Sequence, residues 1–177
     1  MSVTPWLWVV FTVVAAGSQT LRNAMQKELT ATLGTVGATH VLLTHGDLDH
    51  TGGLEIFPEA RVHLSRAETG MIDGSTARFP LYRNPVIPRP LDLLDDGQEV
   101  TLGKTRVRAL ATPGHTPGHL AFYIPEADLL FAADVDLTSF GPFYGHDFAD
   151  IGQFIQSIEK LRRLNARIVT TGHAGPF

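Results

Sequence analysis

Thr44-His45-Gly46-Asp47-Leu48-Asp49-His50 places four potential metal ligands within six residues. The stretch follows His40 to Thr44, an apolar run that reads as a short buried strand, so the ligands emerge where a strand gives way to a loop. His115, Asp134 and His173 each stand at the end of a further apolar run. Imidazoles and carboxylates converging from several strand ends are what a pair of divalent ions needs, and such ligands suit zinc, iron and manganese alike. Chance clustering of His and Asp in polar loops would account for one such residue. Seven, each just past a strand, make it improbable.

Working outward toward the N-terminus, Ser18 is a plausible N-cap for a helix over Gln19 to about Leu33, closed by Gly34, with Leu21, Met25, Leu29 and Leu33 as its buried stripe. Trp6 to Ala16 is apolar apart from Thr12, well short of the roughly 20 residues of a membrane span. Val9, Val10, Val13 and Val14 favour a strand in this run, with Trp6 and Trp8 on one face and Leu7 and Val9 on the other. The rival is a signal peptide cleaved near Val14-Ala15-Ala16, although no Lys or Arg precedes it. The first reading implies a cytoplasmic protein and the second an exported one. A strand exposed at a sheet edge would invite pairing with a second copy, so a homodimer is expected on that ground.

Toward the C-terminus, Gly52-Gly53 precedes a short helical turn at Leu54 to Phe57, Arg61 to Leu64 alternates like a strand, and Ser65 caps a turn running to Met71. Asp73 to Pro90 carries Pro80, Pro85, Pro88 and Pro90 and reads as a long ordered loop or lid, packed through Phe79, Leu81, Tyr82, Val86 and Ile87. Strands are expected at Glu99-Val100-Thr101, Thr105 to Ala111, Leu120 to Ile124 and Leu129 to Ala132. Phe148, Ile151, Phe154, Ile155, Ile158, Leu161 and Leu164 keep helical spacing, with Lys160, Arg162 and Arg163 in the last turns. Arg167 to Thr171 forms the strand that delivers His173. Strands between helices at both ends of the chain suit one α/β (α+β) domain over residues 1–177, with helices outside two sheets.

At 177 residues, 44% apolar and 18% charged, the chain can bury a real core. A net charge of -4 with dispersed Lys and Arg gives no basic stripe and no support for a nucleic-acid partner. No cysteine is present, which excludes disulfides and thiolate ligands.

Taken together, Thr44 to His50, Thr112-Pro113-Gly114-His115-Thr116-Pro117-Gly118-His119, Ala132-Ala133-Asp134 and Thr171-Gly172-His173 resemble, in order, the motifs of the metallo-β-lactamase superfamily. The resemblance runs from roughly residue 18 to the C-terminus and implies an αββα sandwich. Two features depart from the family pattern. Asp47 stands where the family's second His falls, giving His-x-Asp-x-Asp-His. Val13-Val14-Ala15-Ala16-Gly17 replaces the usual Asp-Thr-Gly turn, so the N-terminal strands look abbreviated.

The resemblance implies that His45, Asp47 and His115 bind one ion, that Asp49, His50 and His173 bind another, and that Asp134 bridges them. Asp134 is preferred to Asp136 because it directly follows the apolar run. Two such ions activate a shared water, which Asp49 would orient. Zinc is the first expectation. The Asp47 carboxylate tilts the site toward iron or manganese and is similar to the flavodiiron proteins, which use Glu there. His119 reads as a turn or supporting hydrogen bond, and His40 and His63 as core or surface residues. The loop Phe140 to Gly145 either walls a substrate pocket, with Tyr144 offering its hydroxyl to a carbonyl oxygen and His146 beside it, or packs beneath the last helix. The expected function is binuclear hydrolysis of a small ester, thioester or lactone, as in glyoxalase II or lactonase relatives. A di-iron redox protein and a non-catalytic metal-binding scaffold are the alternatives.

Overall fold

A computed structural model of the chain describes residues 40–54, 57–72, 90–135 and 147–173. Eight strands among them form two sheets. The first holds β1 (His40–Leu42), β2 (Arg61–Ser65) and β3 (Leu91–Leu94), in that order and all parallel. The second runs β4 (Glu99–Leu102), β5 (Thr105–Ala111), β6 (Leu120–Ile124), β7 (Leu129–Phe131) and β8 (Ile168–Thr170), antiparallel except for the pair β7–β8. Helix α1 (Leu48–Thr51) is a single turn after β1, and α2 (Ile151–Leu164) joins the second sheet's last two strands on the chain's return.

Side-chain alternation sets the layers. Val107, Ala109, Leu120, Phe122, Ile124, Leu129 and Phe131 point inward and meet Leu42 and Leu94 of the first sheet. Leu110, Ala121 and Leu130 point the other way, onto Phe154 and Leu161 of α2. The outer face of the first sheet carries a third cluster, Val62 and Leu64 with Leu43, Leu54 and Ile72. Period-two alternation on strands covered from both sides produces these three clusters.

The expected strands Thr105 to Ala111 and Leu120 to Ile124 are found with those bounds, and the rest of the expected set agrees within a residue or two. Ser65 caps its turn, its Oγ accepting from Ala67 N. Strand β3 was not expected after the proline-rich stretch; it forms because Leu91 and Leu94 bury on opposite faces while Asp92 takes Arg61 Nε at 2.8 Å. The last helix begins later than its apolar spacing implied. Asp150 is its N-cap, accepting from Gln153 N, and Phe148 lies before it. Ile151 and Ile155 are 59% and 56% exposed, whereas Ser157 is buried with its Oγ donating to Pro113 O at 2.7 Å. The N-terminal strand and helix, the edge pairing they would allow, and the 73–89 loop lie outside the described residues.

His40 and His63 meet on the inner face of the first sheet, Nδ1 to Nε2 at 2.7 Å, and the His63 Nδ1 is buried without a hydrogen-bond partner among the described residues. Burial lowers the His63 pKa from 6.5 to about 4, against the pull of Asp92. A histidine kept neutral when folded contributes stability that is complete above pH 6.5 and is lost as pH falls toward 4. Chemical denaturation across that window should show this loss, and His63→Gln should flatten the part due to His63; an unchanged slope would remove the assignment.

Candidate metal centre

Backbone hydrogen bonds tie together the loops at one end of the two sheets. Leu120 N donates to Thr44 O at 2.8 Å, which joins the end of β1 to the start of β6. Thr112 N donates to His119 O and closes the loop that carries His115. That loop is gripped by α2 through Ser157 on Pro113 O and Lys160 Nζ on Ala111 O. A Cβ on Gly114, at φ +133°, would come within 2.4 Å of the Phe154 backbone, so only glycine admits the helix this closely. On the other side, Gly172 N donates to Ala133 O and aligns the ends of β7 and β8. Ala133 sits at φ +50°, an uncommon conformation for a residue with a Cβ, immediately before Asp134.

These loops bring all seven expected ligands together. Asp134 lies in the middle: Oδ1 is 3.2 Å from His50 Nε2, and Oδ2 is 3.2 Å from His173 Nε2, 3.5 Å from His115 Nε2 and 3.9 Å from His45 Nε2. Two sets emerge whose potential ligand atoms lie within 4.8 Å of one another: His45, His115 and Asp134, and Asp49, His50 and His173. Asp47 Oδ2 is 3.5 Å from His45 Nε2 and 3.4 Å from His115 Nε2, on the first set's side. Asp47 is also the N-cap of α1, yet its side chain makes no cap hydrogen bond. A capping carboxylate ordinarily contributes about 1 kcal/mol to its helix. Here that role is forgone and the carboxylate turns toward imidazoles.

The donor set fits divalent cations. Among the described residues, His45 Nε2, His50 Nε2 and Asp134 Oδ1 are buried atoms without a hydrogen bond, an arrangement that a shared cation would satisfy. Thr44 Oγ1 lies 3.0 Å from His45 Nδ1 and 3.3 Å from His50 Nδ1. Its two lone pairs can accept from both Nδ1–H groups, the tautomer that would turn both Nε2 lone pairs toward a bound ion. Burial and the neighbouring His50 lower the His45 pKa to about 4, so the ring stays neutral and free to ligate. Burial alone would raise the Asp47 pKa, but His115 and His45 hold it far below the usual carboxylate range. Asp134 is likewise driven down, against its burial, by His173 and His50. Both carboxylates are therefore ionised.

His119 is fully buried beneath this layer. Its Nε2 accepts from Asp134 N at 3.3 Å, so the proton sits on Nδ1 and faces Thr112 Oγ1 at 2.7 Å. This is the supporting bond expected for it. Asp136, Tyr144 and His146 lie outside the described residues. Sequence reading missed Glu68, which is fully buried between the His45 and His115 loops. Ser65-x-x-Glu68 has capping-box spacing and was the available signal, but it points back to the helix start rather than to this site.

Comparison with known proteins places these features in context. Residues 38–173 match the family model of the metallo-beta-lactamase superfamily. A hydroxyacylglutathione hydrolase of Rhodospirillum rubrum is 35% identical over 137 residues, covering 76% of this chain and 48% of that protein. An atrochrysone carboxyl ACP thioesterase of Aspergillus fumigatus is 33% identical over 140 residues, covering 75% of this chain and 37% of that one. The chain thus spans about half the length, or less, of these curated relatives. Among solved structures, TTHA1623 in a di-iron-bound form superposes with a TM-score of 0.72 at 29% identity, covering 85% of this chain and 78% of that one.

Proposed function

The chain belongs to the metallo-beta-lactamase superfamily, and on that footing we propose that it is a two-metal hydrolase of small thioesters, with related esters and lactones as weaker substrates. The observation that carries this reading is the Asp134 carboxylate, one oxygen toward His50 and the other toward His115, between two convergent ligand sets. Thioesters are favoured because both the glutathione hydrolase and the ACP thioesterase are named for acting on acyl thioesters.

In this reading His45, Asp47 and His115 would hold one ion, Asp49, His50 and His173 the other, and Asp134 would serve both. Two divalent ions so held, zinc before iron or manganese, would supply an acidified water and a polarised carbonyl. Asp49 is the most open of the three carboxylates, with a side chain 44% exposed, and from the rim it would accept a hydrogen bond from that water and orient it. Thr44, beside His45 and His50, and His119, beside Asp134, hold their partners' orientations. A redox di-iron centre is the second reading, favoured by the oxygen ligand at Asp47 and by the di-iron form of TTHA1623.

Metal-reconstituted protein should be assayed against a 2-hydroxyacyl glutathione thioester, a pantetheine thioester, an aryl ester and a lactone. Thioester turnover with kcat/KM on the order of 10⁴ M⁻¹s⁻¹ or above, abolished by chelator and restored by metal, is the expected result. Two bound ions with no hydrolysis across the panel would overturn it in favour of a scaffold; oxygen consumption by the iron form would favour the redox centre.

A further inference from the structure

We propose that Glu68 is a positioning residue that fixes the His45–Asp47 loop against the His115 loop and thereby sets the affinity of one of the two ions. The inference rests on the two-ion reading. Glu68 ends a single 3-10 turn, Arg66–Glu68, anchored by the Ser65 cap. Its Oε1 accepts from Gly46 N at 3.0 Å, and its Oε2 accepts from Thr116 Oγ1 and Gly118 N, both at 2.9 Å. Gly46 lies between His45 and Asp47, and Thr116 follows His115, so one carboxylate joins the two loops whose imidazoles must meet around an ion.

The chemistry is specific to an ionised carboxylate. All three partners donate, and a carboxylate accepts only. Burial, with the Asp47 carboxylate nearby, raises the Glu68 pKa above its ordinary value, and the bonds from Gly46 N, Thr116 Oγ1 and Gly118 N pull it partway back. Burying an anion is expensive unless its hydrogen bonds are complete, and a plain packing contact between loops would need no charge. The backbone is shaped to the same end. A Cβ on Gly118 would stand 2.5 Å from Glu68 N and 2.6 Å from Oε2, so only glycine lets that loop approach. Glutamine keeps the size of Glu68 but has one acceptor oxygen; its amide must face at least one donor, and one loop is released.

Cobalt(II) titration of the full chain, followed by visible absorption and chelator competition, tests this beside thermal unfolding of the metal-free protein. In E68Q one of the two binding steps should weaken by about 10- to 100-fold with altered bands, while the other stays within about threefold of wild type. T116V, which removes a single donor, should weaken the same step by less. Two cobalt steps and bands equal to wild type in E68Q, even with a lowered Tm, would reduce Glu68 to a packing role and overturn the proposal. Should E68Q fail to fold, T116V decides, and wild-type affinity there overturns it. A wild-type protein that binds fewer than two cobalt ions removes the two-ion reading itself, an outcome distinct from either.

Discussion

Asp134→Asn should leave the protein folded but with at most one tightly held ion, and should lower kcat/KM by about 10³-fold or more, about 4 kcal/mol of barrier. The carboxylate faces four imidazoles, through Oδ1 to His50 and through Oδ2 to His45, His115 and His173. Asparagine preserves the volume beside Gly172, where a Cβ would already come within 2.9 Å of Oδ1, so a packing collapse is not the cause of the loss. It would remove the charge that a pair of dications needs between them, and it would present an amide in place of one oxygen. The loss should appear in both metal content and turnover. Full metal content with full activity would place Asp134 outside the centre.

Asp47 gives the second large effect. Asp47→Ala should lose one ion and most activity, because Oδ2 lies within 3.5 Å of both His45 Nε2 and His115 Nε2. Asp47→His restores an imidazole at that position, and it should retain two ions while shifting preference from iron toward zinc. Competitive loading with equal zinc and iron, read by elemental analysis, separates the variants. An identical metal profile in wild type and both variants would mean that the carboxylate only pairs with its neighbours. Because the side chain abandons a helix cap, Asp47→Ala should cost the metal-free protein little in α1 stability.

The candidate site was legible in the sequence to the extent that its candidate ligands follow apolar runs. His45, Asp47, Asp49, His50, His115, Asp134 and His173 stand out by position, and the structure brings all seven side chains together. Strands β5 and β6 were equally plain, since their inward residues alternate without interruption. What escaped had a polar residue in a structural role. β3 hides behind prolines and carries Asp92 on its inner face, paired with Arg61. α2 buries Ser157 rather than Ile151 and Ile155, because a hydroxyl bond to Pro113 O holds the His115 loop, and hydrophobic spacing is blind to such a bond. Glu68 escaped for a related reason. A buried carboxyl group is intelligible only once its three donors, drawn from loops far apart in sequence, are seen around it.

Anomalous diffraction from crystals of the metal-loaded protein, collected at the zinc, iron and manganese edges, tests the two-ion centre most directly. Two peaks a few ångströms apart are expected, with Asp134 between them, His45, Asp47 and His115 around one, and Asp49, His50 and His173 around the other. A single peak, with Asp49 and His173 turned away from it, would contradict the binuclear centre and the hydrolytic mechanism built on it.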